Sequence, residues 1–323
     1  MKELKTINFA MKKTIFFNLF LSFLVFVPTA VFAQEDLLKE MESTMPKEKP
    51  FTLATFKGTR LINGHTVEVG GPRTLDFRIA HRFGNIKQNT KEYLQESADR
   101  LFGLDGGATI TLSLDYSFNG KLAMGVARNS LDKLFEGWLK YKLLAQTDDN
   151  AMPVTLTLMG KTGYLGGMSL QNQPGYDKNV NRLMYLGQAL VARKFNEKLS
   201  VQLSPMFIHY NFADREGQTA NDLYAVMASF RYKFTRSVAV TSEYSQVLNS
   251  YYDSKLLTGA SYVPTFSAGF DIETGGHVFQ VFVSNAIGMS EFQYIGFNSN
   301  DWGVGQIRLG FNVSRTFGMG KKK

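Results

Sequence analysis

The sequence predicts an all-β protein: a closed antiparallel transmembrane β-barrel of about twelve strands, preceded by a short N-terminal extension. Three observations predict this fold. Apolar residues recur at every second position through most of the chain after Thr74, the alternating segments are long, and short connections alternate with long ones. Closure follows because a sheet inside a bilayer satisfies all its backbone hydrogen bonds only when it has no free edge.

The segment 108–118 shows the alternation most clearly, with threonine, serine and aspartate standing between successive apolar residues. A period of two places the two sets on opposite faces of a strand. The same pattern in 74–84 places Asp76, Arg78 and Arg82 together on the polar face. One face of each strand is therefore predicted to meet lipid and the other to line the lumen.

Most of the alternating segments are longer than the roughly five or six residues usual in globular strands. They suit the roughly 9–11 residues with which a tilted strand crosses a bilayer. Pro205 interrupts one of them, and the apolar residues change face there, which predicts a β-bulge. The twelve segments are 74–84, 108–118, 121–130, 133–145, 153–164, 182–195, 199–212, 222–234, 237–247, 264–273, 277–285 and 303–317.

The connections between the segments are unequal. Asn119-Gly120 is a two-residue hairpin turn, and other short connections lie at 196–198, 235–236 and 274–276. Transmembrane barrels have tight periplasmic turns and longer outer loops, whereas a soluble sandwich has no physical reason to keep one end tight. The long polar connections are 85–107, 165–181, 213–221, 248–263 and 286–302; the short 131–132 and the intermediate 146–152 are exceptions.

The N-terminus has the features of a secretory signal peptide. Lys12 and Lys13 precede an apolar run over 15–27, and small residues lead to a predicted cleavage after Ala33. The exported chain then divides into an N-terminal segment (34–73), the barrel (74–317) and a basic tail (318–323). The segment 34–73 has three interpretations: a periplasmic tether, a plug in the lumen, or an additional strand pair.

The composition argues against an enzyme and against a cofactor. The chain has no cysteine, so it has neither disulfides nor thiolate metal ligands. Its four histidines are not at metal-ligand spacing, and no nucleophile elbow or phosphate loop occurs. A lipid hydrolase would need a serine nucleophile beside an outward-facing histidine such as His209. The sequence places no convincing serine beside His209. A basic tail in an exported protein does not indicate nucleic acid.

The predicted inner face carries both signs of charge. Such a lumen is either a hydrated passage for small polar solutes or a space filled by ion pairs. Both are open because a barrel of twelve strands is intermediate in size between small barrels, which side chains fill, and large barrels, which leave a channel. A slight basic excess suggests a preference for anions. The candidate lumen-lining residues are Asp76, Arg78, Arg82, Asp115, Glu136, Lys140, Lys142 and Arg308.

Four stretches resemble an uncharacterised family of outer-membrane β-barrel proteins from Gram-negative bacteria, a domain of unknown function. The resemblance implies a barrel in the outer membrane and carries no known substrate or active site. The stretches are FKGTRLINGH (56–65), LDFRIAHRFG (75–84), FGLD (102–105) and FEGWLKYK (135–142).

The resemblance draws attention to Arg60 and His65 as candidate plug residues. If they enter the lumen, we expect Arg60 to pair with an inward carboxylate such as Asp115 or Glu136. Deleting residues 34–73 should then raise the single-channel conductance.

The sequence as a whole favours a porin-like outer-membrane channel for small polar solutes, in contact with outer-membrane lipid. The alternative is a non-conducting barrel that serves as an envelope scaffold through its outer loops.

Overall fold

A computed structural model of the chain describes residues 54–89, 91–167, 175–212, 221–249 and 262–320. All of them belong to one compact unit, Pro50–Lys323. The predicted signal peptide, its cleavage site, residues 34–53 and the end of the basic tail lie outside the described residues. Among the described residues, no helix is both long and apolar enough to cross a bilayer.

Twelve strands form one sheet in which each strand pairs antiparallel with the next along the chain, and the last pairs with the first. The sheet has no free edge, so the predicted closed barrel of twelve strands is confirmed. The strands are β1 (Thr74–Asn85), β2 (Thr109–Ser117), β3 (Leu122–Asn129), β4 (Leu134–Leu144), β5 (Thr155–Leu165), β6 (Leu183–Lys194), β7 (Leu199–Tyr210), β8 (Asp222–Lys233), β9 (Val238–Val247), β10 (Thr265–Thr274), β11 (His277–Ser284) and β12 (Arg308–Gly318).

The seam between β1 and β12 brings the two ends of the barrel sequence together. Thr74 lies opposite both Gly318 on β12 and Ser117 at the end of β2. The short connections at Asn119-Gly120, 196–198, 235–236 and 274–276 lie at this same end, which we call the turn end, whereas the short connection at 131–132 lies at the opposite end. The opposite end, called the loop end, carries the connection that contains helix α1 (Leu94–Asp99) and the connection that contains helix α2 (Glu291–Tyr294).

Strand β2 illustrates the two faces of the wall. Leu112 and Leu114 keep 48% and 40% of their surface exposed, while the alternate residues Ser113 and Asp115 are buried. Large apolar side chains stand on the outer face of the other strands as well. An apolar outer face on the strands of the barrel is unfavourable in water and suits contact with the acyl chains of a bilayer.

The bulge predicted at Pro205 is absent from the pairing of β7. Its register with β8 is constant from Leu199 to His209. Pro205 has no N–H to donate, and its effect is confined to the pairing with β6, where the register is unchanged but Ala189 and Leu190 are unpaired. The orientation of β7 therefore does not change along its length. The apolar residues near its loop end are inward-facing and point into the lumen.

Candidate functional site in the barrel lumen

The eight candidate lumen-lining residues all lie on the inner face or at its rim. Lys142 and Arg308 are half-buried; Lys142 pairs with Glu68 at 3.2 Å, and the Arg308 Nε donates to the Asn85 Oδ1 at 2.8 Å. The other six are buried: Asp76, Arg78, Arg82, Asp115, Glu136 and Lys140. Buried charges of this kind imply that something fills the lumen.

Part of the filling comes from the chain before β1. Residues 54–69, which we call the lumenal segment, fold into a small hairpin in which Arg60 lies opposite His65. The Thr66 N–H donates to the Thr59 carbonyl at 3.0 Å and closes the hairpin. The segment is joined to β1 at the turn end, and the hairpin tip, residues 61–64, reaches toward the middle of the barrel.

Polar side chains of the wall satisfy the backbone of the lumenal segment. The Gln202 Oε1 on β7 accepts from the Val67 N–H at 2.9 Å, and the Gln202 Nε2 donates to the His65 carbonyl at 2.8 Å. From β4, the Lys140 Nζ donates to the Glu68 carbonyl at 2.9 Å. The segment thus replaces water as the hydrogen-bond partner of the inner wall.

The hairpin tip is held by one carboxylate. The Glu243 side chain on β9 accepts from the backbone N–H groups of Ile62, Asn63 and Gly64 at 2.9, 2.8 and 3.2 Å. Glu243 is 4% exposed, so these are charge-assisted bonds in a site with little water. Glu243 is the main anchor of the tip.

Arginines of β1 hold the other side of the tip. The Arg78 Nη2 donates to the Ile62 carbonyl at 2.6 Å, and the Arg82 Nη2 donates to the Asn63 Oδ1 at 2.7 Å. The tip therefore lies between a carboxylate on β9 and two guanidinium groups on β1.

The ion pair expected for Arg60 is not formed. The guanidinium lies over the indole ring of Trp138, 4.7 Å from its centroid, and Arg60 makes no ion pair among the described residues. Both expected carboxylates have other partners: Asp115 accepts from the Trp138 Nε1–H at 2.7 Å, and Glu136 pairs with Lys161.

His65 is buried in a cationic environment. Its ring packs edge-on against Trp138 with centroids 5.1 Å apart. Burial holds the pKa of His65 well below its ordinary value of 6.5, and the nearby charges of Arg60 and Lys140 lower it further. The folded barrel therefore holds a neutral His65 at neutral pH.

This lowered pKa predicts a loss of stability in acid. Below about pH 6.5 the unfolded chain binds a proton at His65 that the folded chain does not, so the free energy of unfolding falls by up to about 1.4 kcal/mol per pH unit. Above that pH the contribution is complete. Denaturant titrations at pH 7.5, 6.5 and 5.5 measure it against His65→Gln. If the free energy of unfolding changed equally with pH in both proteins, the prediction would be contradicted.

A second segment fills the lumen from the loop end. The connection between β11 and β12 folds inward, and we call its residues 285–300 the inward loop. All four residues of helix α2 are buried, and the Ser290 Oγ accepts from the Phe292 N–H at 3.3 Å to cap it. The sequence pattern predicted an outer loop here.

A buried ion centre joins the inward loop to the wall. Lys161 on β5 pairs with Glu136 on β4 and, at 2.7 Å, with Glu291 of α2. The Ser290 hydroxyl also donates to Glu136. The side chains of Lys161, Glu136 and Glu291 are at most 1% exposed, so all three charges depend on one another for compensation.

An apolar cluster surrounds this loop in the half of the lumen nearer the loop end. It joins Phe292, Tyr294 and Ile295 of the inward loop to inward-facing side chains of β3 to β9. The fully buried wall members include Leu134, Met184, Ile208, Leu223 and Met227. This half of the lumen is packed like the core of a soluble protein.

The two segments nearly meet at mid-depth. A Cβ atom on Gly64 of the hairpin tip would lie 2.1 Å from the Met227 Cε and 3.5 Å from the Tyr294 hydroxyl of the inward loop. The space left beside the tip is a cavity of about 10 Å³. A cavity of that size holds about one water molecule.

Among the described residues, His209 has no serine partner and no metal-ligand cluster occurs. The outward His209 contacts Asp222, with the His209 Nδ1 2.6 Å from the Asp222 Oδ1, and among the described residues no serine bonds to it. Within the same ranges, no three histidine, aspartate or glutamate side chains are grouped as metal ligands.

The alternating pattern did not single out Glu243 and Lys161, because alternation gives a face and not a partner. It missed Glu291 and Ser290, since the inward loop has no strand periodicity.

An antiparallel sheet closed on itself, apolar outside and charged inside, defines a membrane-spanning β-barrel. The chain belongs to the family described as "Membrane bound beta barrel domain (DUF5777)", which matches residues 56–317. The resemblance found in the sequence is thereby confirmed. The matched range includes the lumenal segment from Phe56 onward.

No curated protein matches the chain. Among solved structures, the KdgM porin is 12% identical with a TM-score of 0.43, covering 76% of this chain and 99% of its own. The NanC porin is 8% identical with a TM-score of 0.46, over 75% and 98% of the chains. An outer-membrane channel from Pseudomonas putida F1 is 12% identical with a TM-score of 0.45, over 84% and 100%. Likeness at this level concerns the fold alone.

Proposed function

We propose that the protein is an outer-membrane channel for small polar solutes, closed in the described state by the lumenal segment and the inward loop. The turn end faces the periplasm and the loop end faces outward, as in other barrels of this type. The observation that carries the proposal is the polar character of the wall around the lumenal segment.

That part of the wall is suited to contact with water. The side chains that bond the lumenal segment include Arg78, Lys140, Gln202 and Glu243. If the segment withdrew toward the periplasm, water would take over the same hydrogen bonds. A permanent core is normally built from apolar side chains, whereas a water-filled lumen is lined by polar ones.

The membrane partner follows from the outer face. The apolar band meets the acyl chains of outer-membrane lipid, and aromatic residues stand at the turn end of several strands, where interfacial girdles lie. These include Phe118, Phe195 and Phe234, each more than 40% exposed. Export by a signal peptide over residues 1–33, with cleavage after Ala33, is part of the same proposal.

One observation favours the alternative of a non-conducting scaffold. The apolar cluster around the inward loop is too hydrophobic to be wetted readily, so this half of the lumen would stay shut if the lumenal segment alone left. A conducting state therefore requires displacement of the inward loop as well.

Conductance in planar bilayers tests the proposal. Three refolded proteins are compared: the chain from Gln34, the same chain without residues 34–69, and that deletion combined with a short turn in place of 287–299. We expect the first and the second to stay closed at low voltage, and the third to show discrete conductance steps. Swelling of liposomes in sugars, amino acids and nucleosides then identifies the solute class.

A folded double deletion is recognised by heat-modifiable migration on a gel. If that protein inserts and still passes no current, the channel proposal is wrong and the scaffold is favoured.

A further inference from the structure

The small cavity beside the hairpin tip has an unusual lining. Three of its lining residues are arginines: Arg60 of the lumenal segment, and Arg78 and Arg82 of β1. Thr111 and Ser113 on β2 add two hydroxyl groups. Cations and hydroxyl donors from three elements thus converge on one space, and the lining contains no carboxylate.

The three arginines are not in ion-pair contact with a carboxylate among the described residues. In the ranges that the structure describes, none of them forms an ion pair. The Glu243 carboxylate instead accepts hydrogen bonds from the backbone N–H groups of the hairpin tip. Asp76 accepts instead from the Thr316 hydroxyl at 3.1 Å.

Several donors on these arginines are also unused. The Arg60 Nε and Nη2 and the Arg82 Nε are buried without a hydrogen-bond partner. Arg60 is 7% exposed and Arg82 is fully buried. Buried charges and donors without partners are costly. The carboxylates of Asp76 and Glu243 offset part of the positive charge without forming an ion pair, and the unused arginine donors call for a further anion.

We propose that this cavity binds a single monoatomic anion, chloride under physiological conditions. A cavity of about 10 Å³ has room for roughly one water-sized sphere, which favours a small monoatomic anion over phosphate, sulfate and organic carboxylates. The unused N–H groups of Arg60 and Arg82 and the Ser113 hydroxyl supply the donors. The Thr111 hydroxyl, which donates to the Met289 Sδ at 3.7 Å, would turn toward the anion. The site does not depend on whether the barrel conducts.

The electrostatic environment of the hairpin supports a positive potential here. The pKa of His65 is lowered by burial first, and then by the charges of Arg60, Lys140, Lys161 and Arg78. A bound anion would reduce the mutual repulsion of these cations.

The anion also has a mechanical consequence. Arg60 belongs to the lumenal segment, whereas Arg78 and Arg82 belong to the wall, so one anion between them joins the segment to β1. Because a ligand that binds only the folded state stabilises it, chloride is expected to hold the segment in the lumen.

Anomalous scattering from bromide tests the site directly. Crystals of the refolded chain from Gln34 in detergent are soaked in sodium bromide, with Arg60→Gln and Arg308→Gln as variants. We expect a bromide peak in the cavity of the wild-type protein, loss of the peak in Arg60→Gln, and its retention in Arg308→Gln. The Arg308→Gln control removes an equal charge from the lumen rim without changing the cavity lining.

A wild-type cavity that holds only water would overturn the proposal, whether or not the variants fold. An undiminished peak in Arg60→Gln would also overturn the proposed donor set.

A solution measurement gives a second, independent test. The thermal unfolding midpoint is followed as chloride replaces gluconate at constant ionic strength, since gluconate is too large for the cavity. We expect the midpoint to rise with chloride in the wild-type protein and in Arg308→Gln, and to stay level in Arg60→Gln. A level midpoint in the wild-type protein would contradict stabilisation by the anion.

Discussion

Replacing Lys161 by methionine is expected to lower the free energy of unfolding by about 3–5 kcal/mol, the usual cost of removing one partner from a buried ion pair. Lys161 is the only cation that pairs with Glu136 and Glu291 among the described residues. Methionine keeps most of the apolar stem and removes the charge. Two carboxylates are then left buried beside each other at the base of the inward loop.

Urea titration in lipid vesicles, read by heat-modifiable gel migration, measures this change. Lys142→Met is the matched control: Lys142 pairs with Glu68, but its side chain is 19% exposed, and we expect a cost below about 1 kcal/mol. The triple variant Lys161→Met, Glu136→Gln, Glu291→Gln should recover part of the loss. Equal costs for Lys161→Met and Lys142→Met would show that the ion centre does not hold the inward loop.

Replacing Glu243 by glutamine is expected to weaken the docking of the lumenal segment by about 2–4 kcal/mol. The wild-type carboxylate accepts from three N–H groups of the hairpin tip. Glutamine keeps the size of the side chain, but it has one acceptor oxygen and turns an NH2 group toward a backbone donor. The charge-assisted bonds become neutral ones, and at least one is lost.

Thiol labelling reports the release of the segment, because the natural chain has no cysteine. In a Thr66→Cys background the only thiol is buried until the hairpin leaves the lumen. We expect Glu243→Gln to raise the labelling rate by roughly one and a half to three orders of magnitude, since about 1.4 kcal/mol corresponds to a factor of ten.

Glu273→Gln serves as the control for labelling. Glu273 is on the neighbouring strand β10 and contacts the segment only through Lys57, which is half exposed. Its replacement should change the rate little. If the two variants label at the same rate as the wild-type protein, Glu243 is not the anchor of the tip.

Much of the architecture was predictable from local patterns. Alternation with a period of two assigned the faces of the strands, as in β2, because neighbouring side chains of a strand must point in opposite directions. Segment length and the contrast between tight and long connections indicated a barrel in a membrane. The eight candidate lumen residues were chosen by face alone, without knowledge of their partners.

The contents of the lumen were not predictable in the same way. Arg60 packs on Trp138 instead of pairing with Asp115 or Glu136, and the apolar end of β7, which suggested a bulge, faces the inward loop. The lumenal segment and the inward loop have no periodicity, and many inward side chains compete for their polar groups. Local spacing therefore identified the wall and its two faces, whereas the choice among competing partners required all twelve strands to be in place.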